Sequence, residues 1–211
     1  MLSINAMEAE GFKTVKAEVE GAVFKDKGSK FVGYVFPVKN RTEIDRALES
    51  IRLKQPGASH YCYAWRLGTN IPEERTNDDG EPRHTAGMPI LGQLTSFGTT
   101  DVLLVVIRYY GGKKLGTGGL INAYRTAARL VLEEAAIVFK EFESYIALEF
   151  NYEKLHKILH LIKLHAGEVR EKKLDHKCRI ILTIGNSKLA SFSENIKSLK
   201  DVRIEEVREQ R

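Results

Sequence analysis

The sequence predicts an α+β protein of two domains, and three observations support that prediction. The chain has 211 residues, a length that suits one large domain or two small ones. Hydrophobic residues make up 43% of it, which is enough apolar material for a buried core. The order of predicted elements changes near residues 138–143, and each side of that point has its own apolar set. We therefore expect domains over residues 1–138 and 143–211.

Composition argues against several other classes of protein. The longest apolar run, Val102–Ile107, is far shorter than the ~20 residues of a membrane span. The N-terminal residues lack the basic and apolar regions of a secretory signal. Two cysteines, Cys62 and Cys178, are too few for a disulfide framework or a cysteine-built zinc site. These observations predict a soluble cytoplasmic protein, whose net charge of +5 permits nucleic-acid binding without requiring it.

The first domain is predicted to mix strands and helices. Strands follow from alternating apolar positions, helices from apolar positions three and four apart, and loops from glycine, proline, asparagine and aspartate. In chain order the predicted elements are strands at 12–25 and 30–38, a helix that starts at a capping box of Thr42 and Asp45 and stops before Pro56, a strand at His60–Leu67, a loop at 68–84, a helix at Ala86–Phe97, a central strand at Val102–Ile107 and a helix at about Gly118–Ala135.

The second domain is predicted to have the order β-α-β-β-α-β, which is the ferredoxin-like pattern. Its elements are a strand at Tyr145–Phe150, a helix at 152–165, a hairpin of Val169–Leu174 and Cys178–Ile184, a helix capped by Asn186 or Ser187, and a strand at Val202–Val207.

The segment Asn77–Pro89 is unusually polar for its length and runs into a predicted helix. Its carboxylates, on Asp78, Asp79 and Glu81, are the groups that a hard cation takes as ligands. A plain turn explains the same residues, with Thr85 as the helix cap. The calcium-loop pattern is missing, so we favour the turn and predict no bound metal and no cofactor.

The segment Arg108–Gly119 connects the central strand to the long helix and contains five glycines. Glycines allow close approach of a ligand, Thr117 is placed to cap the helix, and Lys113 and Lys114 add positive charge. Neither the P-loop spacing nor the dinucleotide fingerprint is present. Contact with an anion or polar ligand and a tight packing turn are equally good interpretations.

Both segments follow strands, so we expect them to meet at the rim of the first domain's sheet as one cleft. Arg108 ends an apolar strand and, if buried, needs a partner, which we expect to be a carboxylate of residues 78–81. The residues predicted to line this ligand- or anion-binding cleft are Asp78, Asp79, Glu81, His84, Thr85, Arg108, Tyr109, Lys113, Lys114, Thr117, Gly118 and Gly119.

Two histidine-containing pairs are weaker candidates. His60 and Cys62 share a strand face, but a nucleophile and a base two residues apart point in parallel and lack an orienting third group, so core or cleft lining is favoured and no catalytic residue is assigned. His156 and His160 lie one helical turn apart and could bind a metal, although a solvated surface is the better interpretation.

Basic residues are densest in the second domain. In the predicted hairpin Cys178 faces inward, so Lys177 and Arg179 face outward together, on a sheet type that can bind RNA but here lacks stacking aromatics. A solvated face explains the same charges. The predicted nucleic-acid-binding residues are Lys113, Lys114, Lys172, Lys177 and Arg179.

Two long motifs, NDDGEPRHTAGMPIL over residues 77–91 and VVIRYYGGKKLGTGGLINAYRTA over 105–127, resemble the YigZ/IMPACT family, and His60-x-Cys62-x-Ala64-Trp65 fits the same pattern. The resemblance covers nearly the whole chain. Asn77 and His84 depart from the family pattern, in which serine and glycine are commoner at these places.

The resemblance implies a first domain like the second domain of the small-subunit ribosomal protein S-five, and a second, ferredoxin-like domain like one of elongation factor G. It also implies a link to translation, because the eukaryotic relative regulates translation by binding the activator of an amino-acid-starvation kinase. Some bacterial members carry protease-like labels, but this sequence has no nucleophile–base pair to support such a label.

Two functional hypotheses follow. The first is a non-enzymatic, translation-linked and stress-related regulator that binds RNA, the ribosome or a protein partner. The second is an enzyme that acts on a phosphorylated small molecule in a cleft formed by residues 77–87 and 108–119. The sequence does not determine the oligomeric state.

Overall fold

The computed structural model describes residues 11–69 and 71–207, which form two compact units, one over residues 12–140 and one over residues 141–207 together with Gly11. Antiparallel sheets with helices packed on them confirm the α+β class. No helix within residues 11–69 and 71–207 has the length and hydropathy that a membrane span requires. The elements are β1 (Gly11–Val15), β2 (Val19–Asp26), β3 (Ser29–Pro37), α1 (Arg41–Lys54), β4 (His60–Leu67), β5 (Glu73–Asn77), α2 (Gly87–Ser96), β6 (Val102–Tyr109), α3 (Gly116–Glu134), β7 (Ile137–Glu141), β8 (Glu143–Asn151), α4 (Leu155–Leu164), β9 (Glu168–Lys173), β10 (Lys177–Gly185), α5 (Asn186–Lys197) and β11 (Arg203–Val207).

The first unit is built on a five-stranded sheet of order β2-β3-β6-β4-β5, with a helix layer on each face. Strand β6 lies at the centre, and its residues alternate between two cores. Leu104 and Val106 pack with α2 and α3, whereas Leu103 and Ile107 pack with α1. Because both faces are covered, β6 is apolar throughout until Arg108.

The second unit has a four-stranded sheet of order β11-β8-β10-β9, which in chain order is the 4-1-3-2 arrangement of a ferredoxin-like fold. Its helices α4 and α5 bury Ile158, Ile162, Phe192 and Ile196 against one face of that sheet. The predicted element order of this domain is therefore confirmed. A short 3₁₀ turn, Tyr152–Lys154, begins the region predicted as one helix over 152–165.

Four strands differ from the sequence prediction. Strand β7 lies where only a domain boundary near residues 138–143 was predicted. The predicted strand over residues 12–25 is two strands, because β1 pairs with β7 in a small separate sheet while β2 pairs with β3. Strand β5 occupies part of the stretch predicted as a loop over 68–84. It is an edge strand with the sequence EERTN, paired on one side only, so its exposed charged residues give no apolar alternation.

The helix caps also differ from those predicted. Helix α1 is capped by Asn40, whose side chain accepts the Glu43 N–H, rather than by Thr42. Thr85 does not cap α2, because its hydroxyl donates to the Pro82 carbonyl. Thr117 lies inside α3, which has no side-chain cap. In α5 the Ser187 N–H instead donates to the carboxylate of Glu141.

Candidate functional site

Asp78 fixes the loop that leads into α2. Its two carboxylate oxygens accept three backbone N–H groups, from His84 at 2.8 Å, Ala86 at 3.1 Å and Gly87 at 2.8 Å. Burial alone would raise the pKa of Asp78, but these three donors stabilise the charged form and hold the pKa below its usual value. Asp78 is therefore the anionic cap of α2, placed nine residues before the last N–H that it accepts.

Asp79 ties the same loop to the start of β4. Its Oδ2 accepts the Tyr61 N–H at 2.7 Å, and its carbonyl oxygen lies 2.8 Å from His60 Nδ1. A carbonyl only accepts, so Nδ1 donates, and the other ring nitrogen of His60 faces Glu81 Oε1 at 3.8 Å. The Asp79 N–H donates to Asn77 Oδ1, which supports the positive φ of +42° at Asp79.

Arg108 and Glu81 form a buried ion pair, with Nη1 2.6 Å from Oε1 and side-chain exposures of 5% and 4%. This confirms the predicted pairing of Arg108 with a carboxylate of residues 78–81. Glu81 Oε1 also accepts the Tyr124 hydroxyl at 2.8 Å, and Arg108 Nη2 donates to Ser29 Oγ at 3.2 Å. Arg108 Nε is buried and, among the described residues, has no hydrogen-bond partner.

Cys62 lies beside this ion pair. Its Sγ is 3.0 Å from the Asp78 carbonyl oxygen and 3.3 Å from the Tyr124 hydroxyl oxygen. Burial raises the pKa of the Cys62 thiol despite the Tyr124 hydrogen bond, and Glu81, Asp79 and Asp78 raise it further. Burial likewise raises the pKa of Tyr124. Cys62 is therefore a neutral core thiol, in agreement with its interpretation as core or cleft lining.

The glycine-rich segment after β6 contacts the turn between β2 and β3. A Cβ added to Gly111 would lie only 1.9 Å from the Gly28 carbonyl carbon, so no other residue fits at position 111 without a shift of the backbone. The Gly111 N–H donates to Ser29 Oγ, the same oxygen that accepts from Arg108. The close packing of backbone on backbone is therefore one reason for glycine in this segment.

The structure joins the two predicted segments through the Arg108–Glu81 pair, and their residues differ in exposure. Glu81, Thr85 and Arg108 are buried, whereas His84, Lys113, Lys114, Thr117 and Gly118 are exposed. Tyr109 lies on the sheet face that α1 covers, where its hydroxyl donates to Gln55 Oε1 at 2.6 Å. The residues predicted to line the cleft thus include a buried cluster and several exposed side chains, and their role in ligand binding stays a prediction.

Several single residues of the predicted cleft have other surroundings. His84 adopts a φ of +63°, a conformation that favours glycine, in accord with the family's commoner residue there. With Met88 and Arg125 it lines a depression of about 270 Å³ between α2 and α3. Gly119 packs against Leu115, at 3.0 Å from an added Cβ. Within the described residues no group of three or more metal-binding side chains occurs.

The second unit contains the remaining sequence candidates. His156 and His160 line a depression of about 390 Å³ together with Asn195. In the hairpin Lys177 and Arg179 are exposed on the outer sheet face, as predicted, but Arg179 pairs with Glu149 at 3.3 Å.

Lys172 does not share the face of Lys177 and Arg179. It stands opposite Ile180, whose side chain is buried beneath the helices, and Lys173 is the residue opposite Arg179. The β9–β10 register therefore places Lys173, and not Lys172, on the outer sheet face with Lys177 and Arg179. Glu149 neutralises part of the positive charge of this face by pairing with Arg179.

Sequence reasoning missed two members of the buried cluster, Tyr124 and Ser29. Tyr124 lies on the inward stripe of α3 and was interpreted as core, which its burial bears out, but its hydroxyl contacts a charged group. A buried tyrosine hydroxyl requires a polar partner, and this rule could have indicated from the sequence that Tyr124 contacts a polar group. Ser29 gave no signal, since it belongs to a turn-rich stretch whose contact with Gly111 is distant in sequence.

Comparison with known proteins identifies the family. The Impact N-terminal domain model matches residues 27–132. IMPACT family member YigZ of Escherichia coli (strain K12) is 32% identical over 191 residues, which cover 85% of this chain and 92% of that protein. IMPACT family member YvyE of Bacillus subtilis (strain 168) is 34% identical over 145 residues, 69% of this chain and 66% of that protein. A crystal structure of a hypothetical protein, 28% identical, superposes with a TM-score of 0.77 and covers 95% of this chain and 99% of its own. The chain therefore belongs to the IMPACT family, as its two motifs predict.

Proposed function

We propose that this protein is a non-enzymatic, translation-linked regulator that acts in the cytoplasm by binding RNA, the ribosome or a protein partner. The observation that supports it best is the internal pairing of the family motif. Asp78 is satisfied by backbone N–H groups, and Glu81 by Arg108 and Tyr124. Side chains that could perform acid–base or metal chemistry thus hold a loop in place, which favours a binding role for the motif over a catalytic one.

The charge of the exposed residues next to the buried cluster supports an anionic partner. Lys113 and Lys114 are exposed and follow the segment that the cluster anchors. The link with translation rests on the family resemblance, in which the eukaryotic relative regulates translation.

Co-sedimentation with ribosomes from a lysate tests this function. We expect the full chain in the ribosomal pellet at about 50 mM salt and its release near 200 mM, because phosphate contacts weaken steeply with salt. Ribonuclease treatment separates RNA-dependent binding from binding to protein. A chain that binds neither ribosomes, RNA nor any protein at low salt would contradict the proposal. Turnover of a phosphorylated small molecule, abolished by replacement of Lys113 and Lys114, would support the enzyme alternative instead.

A further inference from the structure

Tyr110 is an exposed aromatic side chain in a fixed position. It follows β6, is 50% exposed, and its N–H donates to Ser59 Oγ at 3.2 Å. The Arg108 guanidinium carbon lies 5.3 Å from its ring centroid and 5.4 Å from that of Phe31. Since Glu81 and Ser29 hold Arg108, the buried cluster supports Tyr110 from within the domain. Arg108 therefore packs against the Tyr110 ring, while half of this residue stays exposed.

Two loops that touch carry Tyr110 and three exposed lysines. The Gly28–Gly111 contact brings the β2–β3 turn against the glycine-rich segment. Lys27 lies on the turn, Lys113 and Lys114 lie on the glycine-rich segment, and residues 27–30 and 109–119 contain no acidic residue. Among the described residues none of these three lysines has an ion-pair partner within 4.0 Å. Lys30 does not belong to this set, because its Nζ lies 5.4 Å from the Tyr109 ring centroid, on the sheet face that packs with α1. We call Tyr110 and the three lysines the tyrosine–lysine surface: Lys27, Lys113, Lys114 and Tyr110.

We propose that the tyrosine–lysine surface binds single-stranded RNA, with a base stacked on Tyr110 and backbone phosphates at the lysines. The inference deepens the proposed function and rests on it. Every base has a π-face, so stacking on an aromatic ring together with a basic surface is how single strands are bound without strong sequence preference. Gly112, beside which an added Cβ would meet no atom within 4 Å, leaves room for the strand to approach.

Single-stranded RNA fits this surface better than the other polyanions. A duplex keeps its base faces within the stack, so Tyr110 could not reach them. An acidic protein segment would use the lysines but would leave the ring without a role. The combination of a half-exposed ring and unpaired lysines therefore favours an unpaired strand.

Fluorescence anisotropy with a labelled uridine dodecamer and a duplex of the same length tests the proposal on the full chain. We expect Tyr110→Ala to weaken binding of the single strand at least about fivefold, the lower end for one lost base stack. Tyr110→Phe keeps the ring and should bind like the wild type. Tyr152→Ala removes a tyrosine that is 60% exposed in the second unit and should leave affinity unchanged.

The lysines are tested through the salt dependence of the same binding. The double substitution Lys113→Ala and Lys114→Ala should reduce the slope of log K against log salt by about 1.4, at about 0.7 for each lost contact with a single strand. Lys197→Ala with Lys200→Ala removes two exposed lysines of the second unit as the matched control and should not change the slope. Unfolding midpoints followed by Trp65 fluorescence confirm that each Tyr110 variant is folded.

Three results would overturn the inference: equal affinity of the Tyr110→Ala and Tyr152→Ala variants, equal affinity of the wild type for duplex and single strand, or binding of polyglutamate as tight as that of RNA. Failure here is separable from failure of the proposed function. If the wild type binds ribosomes but no dodecamer, the translation-linked role stands and this inference is wrong. If it binds the dodecamer through Tyr110 but neither ribosomes nor any other component of translation, the RNA surface stands and the translation link is wrong.

Discussion

Replacement of Glu81 should strongly destabilise the first unit, because it leaves a charge buried without a partner. In Glu81→Ala the Arg108 guanidinium stays in the interior and loses its counter-charge at 2.6 Å. The Tyr124 hydroxyl loses its acceptor in the same step. Removal of one member of a buried ion pair costs about 3–5 kcal/mol, and an unpaired buried hydroxyl costs about 1–3 kcal/mol. The two costs are not additive in one network, so we expect a loss of about 3–5 kcal/mol.

Removal of all three polar groups should be far less harmful than removal of one. The combined variant Glu81→Leu, Arg108→Met and Tyr124→Phe leaves none of the three groups buried without a partner, and apolar replacement of a buried ion pair is often neutral or stabilising. We expect it to recover at least half of the stability lost in Glu81→Ala. Such a recovery distinguishes an orphaned charge from loss of packing.

Denaturant unfolding monitored by tryptophan fluorescence measures both effects in the first unit. Trp65 is the chain's single tryptophan and is buried in the core beneath α1, so its emission reports on that unit. The matched control is Glu133→Ala, which removes the exposed Arg129–Glu133 pair at 2.6 Å on α3 and should cost about 0.5 kcal/mol or less.

The reasoning would be refuted in either of two ways. A Glu81→Ala variant that loses no more stability than Glu133→Ala would mean that the buried pair contributes nothing. A triple variant as unstable as Glu81→Ala, with an unchanged m value, would mean that the loss comes from packing rather than from an unpaired charge.

Three further predictions concern the fold. Asp78 has a pKa below its unfolded value, so the stability it contributes is complete above the unfolded value of about 3.9 and is lost as pH falls through the folded pKa. Asp78→Asn should therefore destabilise the first unit at pH 7 and reduce the further loss of its unfolding free energy below about pH 4. The exposed Asp45→Asn should do neither. Equal dependence of the unfolding free energy on pH in the two variants would disprove this. Gly111→Ala should cost about 1–3 kcal/mol of unfolding free energy by overpacking against Gly28. At Gly118 an added Cβ meets nothing within 4 Å, so Gly118→Ala should be neutral or stabilising by up to about 1 kcal/mol. Chemical denaturation measures both effects. Residues 143–211 expressed alone should unfold in one cooperative transition by circular dichroism, and a gradual, featureless melt would argue against an independent domain.

Local patterns of apolar and polar residues predicted most of the fold, because these patterns follow from which side chains are buried. The run Val102–Ile107 is apolar on both faces, and this alone indicates a central strand between two helix layers. Strand β5 could not be predicted in this way, since an exposed edge strand needs only backbone pairing on one side. The helix caps were predicted wrongly for a related reason. The cap of α2 comes from Asp78, nine residues before Gly87, through a loop that folds back on the helix, so the few residues next to the helix start do not include it.

The candidate site was predicted as far as electrostatics alone could specify it. An arginine that ends a buried strand requires a counter-charge, and the polar segment 77–89 carries three carboxylates, so pairing with a carboxylate of residues 78–81 could be predicted, but not that it would be Glu81. Which side chains share one exposed face could not be predicted, because this depends on strand register and on the path of each loop. Lys172 illustrates this, since its face is set by the β9–β10 register.

The position of Arg108 at the end of β6 has a consequence for strand alignment during folding. A half-buried strand is held in register by its apolar face, since a slip of one residue turns that face to water. Strand β6 lacks this safeguard, because valine, leucine and isoleucine satisfy either face equally well. A slip by one residue would, however, turn the guanidinium towards α1 and away from Glu81. The single charge of β6 thus penalises misaligned sheets that its apolar residues would tolerate.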